Sequence, residues 1–350
     1  MTVPVDRPLG RVLAVRADND GDVLLTGPAV RALAASADRV DLLVSPAGRA
    51  AAEQLPGVGD VLVFDAPWSG FVPPPVDAAA VHALVAELAE RRYDRCVVFT
   101  SFHQSPLPMA LLARLAGIGH VAATSVDYPG SLLDVRHRRP DGLHEVEAAL
   151  DLARAAGGAP GAGDDGRLAL RRPLPDVDHL ALPDGAVVLH PGASVPARGL
   201  TPEHAGAVAR ALVDAGRPVL VTGGPGERDL TAAVAAASGA RDLGGRTSFA
   251  ELAAVLARAA CVVVGNTGPA HLAAAVGTPV VSLFSPVVPA ERWAPYGVPT
   301  VLLGDQGAPC RGTRARECPV AGHPCLSSVA PSEVVHAVEA LTARPVEVGA

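Results

Sequence analysis

Not one of the 29 basic side chains in this sequence is a lysine; all are arginine. With abundant alanine, 36 glycines and 33 prolines, that absence reads as a GC-rich coding bias and is not evidence of thermostability. An excess of basic charge is also missing. The formal charge of −7 and pI of about 5.9 argue against a nucleic-acid partner, which calls for a net basic surface. Local arginine clusters could still hold a phosphorylated small molecule. No stretch approaches the roughly 18 apolar residues that would span a bilayer. The opening MTVPVDRPLGR has no apolar run leading to a cleavage site, so no secretory signal is expected.

Cysteine pairs of the CxxC kind are lacking as well. Cys96 and Cys261 lie in apolar runs and are expected in the core, where a thiol packs as a small hydrophobe. Cys310, Cys318 and Cys325 cluster in an arginine-rich stretch with His323. Without knuckle spacing this group leaves zinc, a disulfide and reduced loop thiols all open.

What is present is alternation. From residue 11, short β-branched or leucine-rich runs (RVLAVR, VDLLVS, VLVFD, RCVVFT) alternate with helical composition at 28–37 and 76–92. A second series has strand runs GAVVLHPG, RPVLVTGGPGE, ACVVVGN and TPVVSLFS, with helices predicted at 202–215, 228–238, 248–259 and 269–276. An amphipathic helix at about 332–341 closes the chain. Such alternation predicts an α/β fold of two doubly wound, Rossmann-like domains, and 350 residues suffice for two cores. GGAPGAGDDG, at 157–166, has no packing residues and is the expected linker, which puts the domains at 1–160 and 161–350.

Three segments combine a buried strand, a small-residue loop and a helix start, the arrangement that places ligands at the carboxyl ends of parallel strands. The first runs VLAVRADNDGDVLLTGPAVRAL at 12–33, where Asp22 follows Gly21. Its carboxylate could project toward a ligand as a base or cap a helix, and Asp18, Asn19 and Asp20 could equally be caps or loop solvators. The second is HPGAS at 190–194, whose small residues admit a close backbone approach and whose Ser194 can donate a hydrogen bond. His190 there fits a packed or turn histidine better than a catalyst. Arg198, just beyond, is either a phosphate ligand or a solvated loop charge. The third, NTGPAHLAAAVGTP at 266–279, sets Pro269 at an expected first helical position. Thr267, Gly268, the first-turn amides and His271 could then face a phosphate, although an ordinary capped helix would use the same residues. In GGPGERD at 223–229, Glu227 fits a helix N-terminal acid better than a ribose ligand. ERWAPYG at 291–297 fits either a site rim or a core anchor through Trp293.

In this order, Asp22 within GDVLLTGPAVRAL, HPGAS followed by Arg198, and NTGPAHLAAAVGTP resemble the ADP-heptose:lipopolysaccharide heptosyltransferase family, glycosyltransferase family 9. The resemblance is thin between about residues 65 and 180. It implies a GT-B architecture, with acceptor mainly on the first domain and nucleotide sugar mainly on the second. It also implies an inverting transfer of a heptose, from ADP-heptose, to a glycan, glycolipid or metabolite hydroxyl. The motif places Asp22 as general base. Ser194, Arg198, Asn266, Thr267, Gly268 and His271 lie on the donor and its phosphates, and Gly21 and Asn19 on acceptor or loop contacts. Relatives often carry lysine where Arg198 stands, and many have an acidic residue where this chain has Asn266, which cannot serve as a base. No acidic DxD pair follows a strand in the second half, and no second carboxylate offers a covalent nucleophile, so a metal-independent single displacement without cofactor is expected. The expected location is the cytoplasm, or the inner face of the membrane if the acceptor is lipid-linked, with WSGFVPPPV at 68–76 the candidate membrane contact. A different nucleotide-sugar donor, a nucleotide-sugar epimerase and a non-catalytic sugar-nucleotide-binding protein are the alternatives.

Overall fold

A computed structural model describes residues 8–70, 72–101 and 103–343. The chain divides into two compact units between Arg171 and Arg172. In the first, strands β1 (Arg11–Arg16), β2 (Arg39–Val44), β3 (Val61–Val63), β4 (Arg95–Val98), β5 (His120–Thr124) and β6 (Val135–His137) form one parallel sheet in the order β3-β2-β1-β4-β5-β6. Its helices are α1 (Asp20–Ala34), α2 (Arg49–Gln54), α3 (Ala78–Arg91), α4 (Leu107–Leu115) and α5 (Glu145–Ala155). The second unit repeats the plan with β7 (Val187–His190), β8 (Val219–Val221), β9 (Arg241–Asp242), β10 (Cys261–Gly265), β11 (Val280–Leu283) and β12 (Thr300–Leu303), ordered β12-β11-β10-β7-β8-β9 and again parallel. Around them lie α6 (Pro202–Asp214), α7 (Arg228–Ser238), α8 (Phe249–Arg258), α9 (Gly268–Val276), α10 (Ala290–Trp293), α11 (Pro324–Ser327) and α12 (Pro331–Thr342).

Both sheets therefore reverse strand order at one place, between β1 and β4 and between β7 and β10. At such a point the connections leave in opposite directions and open a crevice at the carboxyl ends of the strands. The strands read as near-continuous apolar runs because helices cover both faces: Val12, Leu13, Ala14, Val262, Val263 and Val264 have no exposed surface. Helix starts are fixed by local chemistry. Thr201 accepts from His204 N–H (3.2 Å), and Ser248 and Glu251 exchange capping bonds (3.3 and 2.8 Å).

Two expectations need correction. The first helix begins at Asp20, not near 28, and carries Pro28 in its interior. A proline there lacks the amide that would bond one turn back, so it reads as a helix start. Asp20 and Asp22 instead occupy the first turn, where carboxylates suit the helix dipole. The segment 157–166 is not a free linker but packs on the first unit. Ala159 N–H donates to the Ala32 carbonyl (3.1 Å), and Arg31 forks onto Asp164 (2.8 and 2.7 Å). A Cβ at Gly158 would press on Leu33 and the Ala32 backbone. Of the stretch WSGFVPPPV, Phe71 lies outside the described residues, and Val72 and Val76 are exposed.

All five cysteines are free. Cys310 and Cys325 are not surface thiols but part of the second unit's core, and burial pushes the Cys325 thiol up to about 11 and those of Cys96 and Cys261 to about 12. Cys318 is half-buried. Native protein is expected to give rapid reaction at Cys318 alone with an aromatic disulfide reagent, the other thiols appearing on denaturation; fast native labelling of Cys96 or Cys261 would contradict this packing.

Candidate active site

In the first unit, β1 runs apolar until it ends on Arg16, which is 3% exposed. This buried guanidinium is held on three sides. Its Nε lies 2.8 Å from Asp18 Oδ2, and its Nη2 donates to Asp22 Oδ1 (2.9 Å) and to Ser101 Oγ (2.8 Å). Burial alone would lower its pKa, but Asp18, Asp22 and Glu145 raise it, so it stays a cation. Ser101 follows β4, so the cluster joins the two strands flanking the switch point. Gln104 accepts from Ser101 N–H (2.8 Å) and donates to Asp18 Oδ1 (2.6 Å).

Asp22 sits in the first turn of α1 with its side chain 27% exposed. It is not the helix cap. Asn19 holds that position without a side-chain bond, its carbonyl accepting from Val23, and Gly21 is buried in the first turn. Among the described residues only Oδ1 of the Asp22 carboxylate is hydrogen-bonded. Asp18 and Asp20 have other employment. Burial raises the Asp18 pKa against the pull of Arg16, whereas Asp20 Oδ1 accepts from Ala51 N–H (2.9 Å) in the first turn of α2.

Burial lifts Asp20 to about 6 from 3.8. Since the folded value exceeds the unfolded one, the stability it contributes is complete below 3.8 and is lost as pH rises through about 6. Asp20→Asn keeps the acceptor for Ala51 and removes the buried charge. It is expected to stabilise the protein by about 2 kcal/mol at pH 8 and not at all at pH 3.5, as thermal melts at the two pH values would show; equal melting at pH 8 would contradict the burial.

The second unit gathers four loops at its own strand ends. His190 closes β7 and is buried, its Nδ1 3.0 Å from Thr222 Oγ1. Its Nε2 is 3.6 Å from Glu227 Oε2, beyond hydrogen-bond range. Burial lowers the His190 pKa more than Glu227 raises it, which favours a neutral, packed imidazole. Glu227 accepts from Gly224 N–H (2.7 Å) and lies where a Cβ on Gly192 would fall, so it braces the HPGAS loop. Ser194 on that loop is exposed, and Arg198 ends a short 3-10 turn, Pro196–Arg198, half-buried.

The Arg198 carbonyl occupies the space a side chain at Gly265 would need. Gly265→Ala is therefore expected to cost about 1–3 kcal/mol and to displace the arginine turn, measured as a lower melting temperature; an unchanged melt would contradict the close approach.

Asn266, after β10, exchanges two bonds with the Ser285 backbone after β11 (3.2 and 3.1 Å). The carboxamide assigned to the donor thus ties two loops together. Thr267 caps α9 with extended backbone and no side-chain cap, and its buried Oγ1 has no partner among the described residues. Gly268 opens the helix, Pro269 takes the second position and not the first, and His271 is buried one turn in. A buried hydroxyl without a partner is costly until one arrives, and a helix N-terminus favours that partner being an anion. Trp293 ends α10 half-buried.

The sequence match now decides the family. The glycosyltransferase family 9 (heptosyltransferase) model matches residues 81–322. The chain belongs to glycosyltransferase family 9. No curated protein matches it. Its fold is similar to the glycosyltransferase family 9 protein of Veillonella parvula, at TM-score 0.78 and 16% identity over 97% of this chain and 98% of that one. It is also similar to E. coli ADP-heptose lps heptosyltransferase II (TM-score 0.72, 20% identity, 95% and 98%). E. coli heptosyltransferase WaaC with ADP gives TM-score 0.68 at 20% identity over 95% and 99%. This family member is thus a glycosyltransferase with the paired six-stranded parallel sheets of those structures. Among the described residues no group of three or more His, Cys, Asp or Glu could hold a metal ion, and no helix is long and apolar enough to cross a membrane.

The sequence reading missed Arg16, Ser101 and Gln104. The one available signal was the charge ending the apolar run VLAVR.

Proposed function

We propose that this family 9 glycosyltransferase moves a heptose from ADP-heptose to an acceptor hydroxyl by a single, inverting displacement that needs no metal. The observation that carries the reading is the Asp22 carboxylate, anchored through one oxygen to a buried cation, with its other oxygen not hydrogen-bonded among the described residues, in the first turn of α1 after β1. In this reading the first unit takes the acceptor, and Asp22 receives the hydroxyl proton as the acceptor oxygen attacks the anomeric carbon. The second unit takes the donor. As the bond from the anomeric carbon to the diphosphate breaks, charge grows on the leaving ADP, where Arg198, the Thr267 hydroxyl and the N-terminus of α9 stabilise it. His271 supports that first turn. An ADP donor is supported by the likeness to WaaC, which was solved with ADP. The acceptor class is a glycan, glycolipid or small metabolite, and the place of action is the cytoplasm or the inner membrane face.

One observation favours a second donor sugar on the same chemistry: α9 has no acidic residue in its first turn, and Asn266 faces Ser285. Nuclear magnetic resonance of the product formed with excess chelator tests the mechanism. The account expects inverted anomeric configuration and undiminished rate; retained configuration or loss of rate that a divalent ion restores would overturn it.

A further inference from the structure

We propose that Arg16 is a positioning residue for transfer, whose guanidinium fork fixes the Asp22 carboxylate in the orientation that receives the acceptor proton. This rests on the reading of Asp22 as base.

A guanidinium at 3% exposure is retained only where carboxylates and hydrogen bonds replace its water. Asp18 alone could neutralise Arg16, and it is the more deeply buried partner, its side chain 12% exposed against 27% for Asp22. The structure supplies more than neutralisation. Ser101 Oγ and Asp22 Oδ1 both accept from Nη2, while Asp18 Oδ2 lies 2.8 Å from Nε as an ion pair without hydrogen-bond geometry, so the guanidinium is gripped at two of its nitrogens. Gln104 then fixes Asp18, and Ser101 N–H fixes Gln104. The cluster is thus built by residues from β1, the loop after it and the loop after β4, and Asp22 is the more exposed of its two aspartates. A side chain whose sole task was to neutralise Asp18 would not need this second grip.

A cavity of about 30 Å³ adjoins the cluster, lined among others by Arg16, Ser101, Gln104, Thr124, Arg139 and Glu145. That is room for a water or a hydroxyl group. Arg139 donates to Glu145 Oε1 (2.7 Å), and Glu145 adds to the negative field at Arg16, but only Asp18 and Asp22 lie within ion-pair distance of its guanidinium among the described residues. Lysine in place of Arg16 would keep one charge but has a single nitrogen in place of the two that reach Asp18 and Asp22.

The test compares Arg16→Gln, Arg16→Lys and Asp22→Asn for folding, donor affinity by calorimetry and kcat. Arg16→Gln is expected to lower kcat about 100-fold with donor affinity unchanged, and Arg16→Lys to recover part of that loss, ending about 10-fold below the native enzyme. Folded Arg16→Gln protein with native kcat overturns the proposal. Should that variant fail to fold, Arg16→Lys decides: native kcat with lysine means the fork is not needed. Equal loss of kcat and donor affinity in folded variants would mean a general structural role and would also overturn it. Asp22→Asn separates the two claims. If it is inactive while the Arg16 variants are not, the base reading stands and the positioning role falls; if Asp22→Asn is active, the base reading itself has failed.

Discussion

Replacing Asp22 by alanine is expected to lower kcat by about 1,000-fold while leaving nucleotide-sugar affinity at its native value. General base catalysis contributes roughly 10²–10⁴-fold, and no second carboxylate is placed to substitute. Asp18 is committed to Arg16 and Gln104, and Asp20 to the Ala51 amide. The folded state should tolerate the change, because Asp22 is partly exposed and Asp18 still neutralises Arg16. Steady-state kinetics with a donor titration on the same preparation checks both halves. A variant that binds and turns over normally would remove Asp22 from the chemistry. One that melts early and binds nothing would make it a folding residue.

The second large effect is expected at Arg198. Arg198→Ala should reduce kcat/KM by about 100-fold, the usual loss when one charge-stabilising donor is taken from a transition state. That corresponds to about 2.7 kcal/mol of barrier. Arg198→Lys should restore most of it, because a point charge still meets the diphosphate. The turn carrying Arg198 is fixed through its carbonyl against Gly265, beside the cap of α9, so the loss should arise from the side chain and not from loop movement. If Arg198→Ala lowers only thermal stability and leaves kcat/KM intact, the residue is a solvated loop charge.

How far these residues were legible follows from the range of each interaction. Parallel strands buried on both faces announce themselves as apolar runs, so all four strand runs read in each half are strands. In the second half the helices that were read agree to within a residue, because Thr201, Ser248, Gly239 and Gly277 mark ends with ordinary cap chemistry, while the four-residue helices α10 and α11 were not read. Pro28 hid the start of α1, and the last strands of each sheet are short and partly exposed, which leaves them without a distinct pattern. The site divides in the same way. The start of the helix that carries Thr267, Gly268 and His271 was legible from local sequence, since a helix start is a local event. The Arg16 cluster was not, for Ser101 lies 85 residues from its partner and no periodicity records that pairing. The tie from Asn266 to Ser285 was not legible either, since that partner is on the next strand's loop, 19 residues away.

The most direct test of the account is calorimetric titration of the native protein with ADP-heptose and, in parallel, with UDP-, GDP- and dTDP-sugars. The account predicts saturable binding of ADP-heptose in preference to the others, retained in Asp22→Ala and weakened in Arg198→Ala. Preference for another nucleotide sugar would contradict the ADP-heptose assignment while keeping the chemistry, and no binding to any of them would contradict the nucleotide-sugar transfer itself.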